Sequence, residues 1–198
     1  MEANKMKTVA VVGTVGVPAC YGGFESLVQN LVDYQSDDIQ YQIFCSSKKY
    51  EKKMKNYKKA KLIYLPINAN GAASIIYDIM CLIFCLFKKP DVTLILGVSG
   101  CLFLPIYKLF SKSKIIVNID GLEWRRNKWG VFAKKFLKKS EAISIKLADV
   151  IISDNPHREE TIPKREKKKS AEREYGGEKE NKIRIGLLAK EKSTGERG

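Results

Sequence analysis

Apolar residues along this chain follow two periods in turn. Short aliphatic and β-branched runs at Thr8–Val12, Gln40–Cys45, Lys61–Leu65, Val92–Leu96, Ile115–Ile119 and Val150–Ile152 read as strands buried on both faces. Segments with helical spacing lie between most of them, at Phe24–Gln35, Tyr50–Lys58, Ala73–Lys88, Cys101–Phe110 and Trp129–Leu147. In the first of these, Phe24, Leu27, Val28, Leu31 and Val32 share one helix face. This rhythm predicts an α/β fold, a Rossmann-like parallel sheet with helices on both faces and right-handed crossovers. Ligands of such sheets bind beyond the carboxyl ends of the strands. The loops Gly13–Gly23, Leu65–Gly71, Gly97–Gly100 and Asp120–Arg126 are expected to gather there.

The first of those loops carries the clearest candidate chemistry. Gly13, Gly16, Gly22 and Gly23 keep it nearly free of side chains, and a helix starts at the glycine pair. The unpaired N–H groups and positive dipole end of that helix would meet a phosphate or sugar hydroxyl on bare backbone. The spacing is neither GxGxxG nor GxxxxGK[ST], so no motif supports a nicotinamide or ATP site. A tight strand-to-helix turn is the competing explanation of the glycines. Glu25, in the first turn, stabilises the helix dipole whatever else it does.

A second constellation, Asn118–Trp129 (NIDGLEWRRNKW), puts two carboxylates, two arginines and two tryptophans at a strand end. Asp120 follows the apolar run directly and is a candidate to hold a hydroxyl or act as a base, with Glu123 the second such carboxylate. Arg125 and Arg126 suit phosphate recognition by planar donor forks. Trp124 and Trp129 offer faces for a sugar ring or a lipid headgroup layer. A turn at Asp120–Gly121, an ion pair at Glu123 and core tryptophans would account for the same residues structurally.

Length and charge narrow the setting. With 198 residues the chain holds one α/β domain and a tail. Residues 1–156 are read as the domain, and 157–198, rich in charge and poor in aromatics, as a disordered or aberrant tail. The net charge of +14 divides as +10 and +4 between them, which favours anionic partners. Nucleic acid is disfavoured, because the aromatics lie in apolar segments and no recognition motif is present. Five cysteines without CxxC or metal-ligand spacing read as reduced cytosolic core residues. The sole histidine, His157, starts the tail, so neither a His-dependent triad nor a His-ligated zinc site is expected in the domain, and no metal site is assigned.

Membrane contact has three candidate signals. Lys5, Lys7 and VPAC at Val17–Cys20 imitate a lipoprotein signal, but Gly13, Gly16 and Pro18 break its apolar core. Ala72–Phe87 is too short for a span and contains Asp78, so it reads as a buried helix. Trp129–Leu147 combines an apolar face (Trp129, Phe132, Phe136, Leu137, Ile143, Leu147) with lysines 134, 135, 138 and 139, as a membrane-surface helix does. A solvated lysine face on a sheet-packing helix is the alternative. The run Lys48–Lys61 adds charge to the same picture.

GTVGVPACYGGFE, NIDGLEWRRNKW with the following KFLKKSE, and ADVIISDNP together resemble, in order and spacing, the N-terminal half of bacterial rhamnosyltransferases of the GT-B fold. The resemblance covers nearly all of residues 6–156. It implies a domain that receives an acceptor, often a saccharide on a polyprenyl diphosphate, facing a second domain that holds the nucleotide sugar, commonly dTDP-rhamnose. It further implies that Gly13, Gly16, Tyr21, Gly22 and Gly23 line the cleft between the two, and that Asp120, Glu123 and Arg125 face it. No separate cofactor is implied. An enzyme of that kind needs about as many residues again after Pro156. The expectation is therefore a truncated enzyme or one whose nucleotide-sugar domain is a separate polypeptide, working in the cytoplasm at the inner face of the membrane in surface polysaccharide synthesis. A non-catalytic remnant or membrane-peripheral fragment is the alternative.

Overall fold

The computed structural model describes residues 6–20, 22–119 and 130–152. Seven strands, β1 (Lys7–Val12), β2 (Ile39–Ser46), β3 (Asn56–Tyr57), β4 (Ala60–Leu65), β5 (Val92–Leu96), β6 (Lys114–Asn118) and β7 (Val150–Ile152), form one sheet in the order β3-β4-β2-β1-β5-β6-β7. Every pairing is parallel except that of β3, which turns back antiparallel on β4. The helices are α1 (Gly23–Asp33), α2 (Ala73–Lys88), α3 (Leu104–Phe110) and α4 (Val131–Leu147). The fold is α/β and Rossmann-like, as the periodicity predicts.

Side-chain alternation along the strands sorts the core into two layers. Ala10, Val12, Ile95, Ile115 and Val117 face α2, α3 and α4, where they meet Tyr77, Leu82, Leu104, Tyr107 and Leu137. Val11, Ile43, Leu94 and Leu96 face the other way, onto Val28 and Val32 of α1. Helices do cover both faces, but unevenly: among the described residues α1 stands on one and the other three on the opposite one. Thr93, on the crowded side, shares its hydroxyl with Tyr107 at 2.7 Å and Ser113 at 2.8 Å, so the polar atoms under α3 are satisfied.

The expected helix at Tyr50–Lys58 is absent. Tyr50, Met54 and Tyr57 have helical spacing, but all three pack onto the α1-side cluster from an irregular segment that ends in β3. Tertiary contacts outweigh a weak helical pattern there. The Tyr64 hydroxyl accepts from the Met54 N–H at 3.2 Å, and Lys58 takes a left-handed conformation (φ 51°) to reverse the chain into β4. Cys101–Phe110 is likewise not one helix but a 3₁₀ turn at Cys101–Phe103 followed by α3. Pro105 sits in the first turn of α3, where its missing N–H leaves no intrahelical bond unmade.

Ala72–Phe87 is helical but only half buried. Tyr77, Asp78, Cys81, Leu82 and Cys85 point inward, whereas Ile76 (61 % exposed) and Phe87 (78 %) point out. Among the described residues no helix is long and apolar enough to cross a membrane. On α4, Leu137, Ser140 and Ser144 are buried, and Phe132, expected on the apolar face, is 90 % exposed. Four cysteines are buried and free, as expected of reduced core thiols, while the fifth free thiol, Cys20, is exposed.

Lys89 caps α2 in the left-handed region (φ 48°, ψ 57°), its N–H bonded to the Cys85 carbonyl at 2.8 Å, with Pro90 ending the helix behind it. A side chain with a Cβ is strained in that conformation. Lys89→Gly is expected to raise stability by about 0.5 kcal/mol, the relief exceeding the added unfolded-state entropy, as measured by urea unfolding.

Candidate functional site

Because β1, β5 and β6 run parallel and adjacent, the chain leaves all three at one edge of the sheet. The loops there are tied to one another. The Ser46 N–H donates to the Val15 carbonyl at 2.8 Å, the Ser46 hydroxyl to the Ile67 carbonyl at 2.7 Å, and the Gly97 N–H to the Asn118 carbonyl at 2.9 Å. The Ser140 hydroxyl on α4 donates to the Val98 carbonyl at 2.5 Å. The described loops after β1, β4 and β5 thus form a continuous rim with the last residues of β6.

The glycines of the first loop divide into two groups. A Cβ on Gly13 would lie 2.0 Å from the Leu96 carbonyl oxygen, so β1 approaches the end of β5 as closely as only glycine permits. One on Gly16 would lie 2.7 Å from the Cys45 sulfur, packed between β2 and Tyr50. Packing accounts for these two. Gly22 caps α1 without a side-chain hydrogen bond, and a Cβ on Gly23 would meet nothing within 4 Å. Gly22 takes a positive φ of 105° that favours glycine, and a Cβ on it would come 3.0 Å from Glu25 Oε2, so only Gly23 borders open space at the helix start.

Glu25 is a strap for this loop. Its side chain is only 5 % exposed, and Oε1 accepts the Val15 N–H at 3.1 Å. One carboxylate thereby joins the first turn of α1 to the exit of β1. Gln29, one turn further on, accepts the Ala19 N–H at 2.8 Å in the same manner. The loop is held by side chains from the helix that follows it, so its backbone is pre-organised.

Tyr21, Asp120, Glu123, Trp124, Arg125, Arg126 and Trp129 lie outside the described residues, as does the tail from Ser153 onward. Ile119, which precedes Asp120, is described: it is buried at the end of β6 and donates its N–H to the Ile152 carbonyl at 2.8 Å. The chain enters the second constellation from the edge that carries the glycine loop.

Two polar residues at this edge were not singled out from the sequence. Asp78 is buried in the apolar α2 and accepts a hydrogen bond from the hydroxyl of Ser99, in the loop after β5. Gly100 lies against it, since a Cβ there would come within 2.6 Å of the Asp78 Cβ. Burial pushes the carboxyl up to about 7, against a smaller opposing effect of the Ser99 hydroxyl. Burial also raises the neighbouring Cys81 and Cys101 thiols, with the Asp78 charge adding to it. Asn118, the last residue of β6, is 3 % exposed, and its side-chain oxygen has no partner. A lone Asp inside an apolar helix and an Asn closing an apolar strand were the available signals.

The family described as "Domain of unknown function (DUF1972)" matches residues 6–178, most of the chain. No curated protein matches it.

The unfolded chain ionises Asp78 near 3.8, so between that value and about 7 the native state holds a proton that the unfolded state has lost. The associated stability is complete at the acid end and disappears as pH rises through 7. Asp78→Asn keeps an acceptor for Ser99 and removes the titration. The variant should lose this slope and gain stability above pH 7 on the order of 4 kcal/mol at most, checked by urea unfolding across pH.

Proposed function

Since the chain belongs to the DUF1972 family, whose description assigns no activity, we propose from the site itself that this is the acceptor-side domain of a sugar transferase. In this reading the rim receives a saccharide on a polyprenyl diphosphate carrier, and a second domain or polypeptide supplies dTDP-rhamnose. The reaction is rhamnosyl transfer to an acceptor hydroxyl, in surface polysaccharide synthesis. The observation that carries the reading is the start of α1, which no side chain caps and which borders open space at Gly23, on the rim that β1, β5 and β6 share. Backbone N–H groups in that position bind phosphate oxygens and sugar hydroxyls without side-chain chemistry. Asp120 and Glu123 are the candidates to hold or deprotonate the acceptor hydroxyl, with Arg125 and Arg126 for phosphate and Trp124 for the sugar ring.

The inner membrane face fits as the place of work. Ile76, Phe84 and Phe87 of α2 are exposed, and so are Ile106, Leu109 and Phe110 of the adjacent α3. Lysines 88, 89 and 112 are exposed at the ends of these helices. Apolar side chains rimmed by cations suit an anionic lipid surface. The outward side of α2 and α3 adds to the surface that the sequence pattern gave to α4, where Val131 and Phe132 are exposed. It equally supports the second reading, a non-catalytic fragment peripheral to the membrane.

Two measurements test these readings. The full chain should bind a polyprenyl-diphosphate-linked saccharide, and Asp120→Ala and Gly22→Val should each weaken that binding at least tenfold; unchanged binding in both variants sinks the site assignment. In flotation with vesicles of phosphatidylethanolamine and phosphatidylglycerol, Phe87→Glu should reduce the bound fraction severalfold. Equal flotation of the variant removes α2 from the membrane contact.

A further inference from the structure

A buried amide oxygen without a partner is uncommon in a folded protein, because the hydrogen bonds it made to water are lost without replacement. Asn118 is in that position. Its backbone carbonyl already accepts from Gly97, and its register places it between Leu96 of β5 and Ile152 of β7. Ile115, Val117 and Ile119 face the α2–α4 layer while Ile116 faces the α1 layer. Alternation therefore puts the Asn118 side chain on the α1 side, at the carboxyl edge. Gly97 connects the two: a Cβ there would sit 3.7 Å from the ring of Phe24, in the first turn of α1. Asn118 and the uncapped start of α1 thus share one face of one edge, separated by the width of the β5 exit.

We propose that Asn118 is a ligand-binding residue of this rim, its side-chain oxygen accepting a hydrogen bond from a hydroxyl of a phosphorylated sugar whose phosphate lies at the start of α1. The assignment rests on the reading of the rim as a sugar site and goes further in naming a residue and a ligand class. The two groups make opposite demands. The amide oxygen needs a donor, which ionised phosphate lacks. The helix start supplies N–H donors that no side chain caps, the Glu25 carboxylate of that turn being engaged by the Val15 N–H, and so takes an acceptor or an anion. Inorganic phosphate satisfies one demand and a neutral saccharide leaves the charge-favouring one unmet. A hydroxyl and a phosphate on the same sugar satisfy both. The phosphorylated sugar is either a saccharide phosphate or the ribose of a nucleotide.

Titration calorimetry on the full chain separates these cases, with α-D-glucose 1-phosphate, uridine 5′-monophosphate and inorganic phosphate as probes. Wild type should bind at least one of the two sugar phosphates, the tighter identifying the source. Asn118→Leu, close in size, should weaken that binding at least tenfold, leave inorganic phosphate binding unchanged, and keep or raise the thermal midpoint. On wild type alone, at least one monodeoxy form of the better ligand should lose a similar factor. Undiminished binding by Asn118→Leu, a lowered thermal midpoint, or full affinity for every monodeoxy form overturns the assignment while leaving the sugar site standing. Failure of wild type to bind either sugar phosphate overturns both.

Discussion

Parallel pairing of β1, β5 and β6 is the constraint on which the rest of this structure depends. Parallel strands need a crossover on every connection, so each returns its chain to the same edge. The glycine loop, the Gly97–Gly100 loop and the entrance to the Asp120–Arg126 segment adjoin for that reason alone. Closeness at the edge then sets local requirements. Gly13 is glycine because the Leu96 carbonyl occupies the space where a side chain would begin. Val15 gives its carbonyl to Ser46 and its N–H to Glu25, so one residue of the loop is fixed from two directions.

The distribution of polar groups sets this edge apart from the remainder of the core. Elsewhere between the layers the buried side chains are aliphatic, aromatic or thiol, with the hydroxyls of Thr93 and Ser144 hydrogen-bonded within the fold. At the carboxyl edge Glu25, Asp78 and Asn118 are all nearly inaccessible. Glu25 and Asp78 are engaged with loop backbone or a loop hydroxyl, and Asn118 has an open valence. A sequence selected for stability alone would place apolar residues at such positions, and departures from that rule concentrate at functional sites. The outward faces of α2 and α3 depart from the rule differently, with aromatic and aliphatic side chains exposed.

The strands and most of the helices were legible because burial on both faces writes long apolar runs with a definite period. β5, β7 and α2 begin and end at the residues the pattern marks. Tyr50–Lys58 was misread because three side chains at helical spacing also suit an irregular segment that drops each of them onto the same cluster. The outward position of Phe132 was not legible either, since a helix pattern shows which residues share a face and not how far the sheet beneath extends.

For the site, the chain by itself determined that bare backbone meets a helix start after β1 and that a carboxylate, arginine and tryptophan cluster follows β6, because local spacing encodes local geometry. Which glycines serve packing and which border open space was decided by the fold, through the neighbours Leu96, Cys45 and Tyr50 that lie far along the chain. The burial of Asp78 against Ser99, and of Asn118 beside the exit of β5, was decided there too. A residue's desolvation and its hydrogen-bond partners belong to the elements packed around it, and spacing along a sequence carries no record of them.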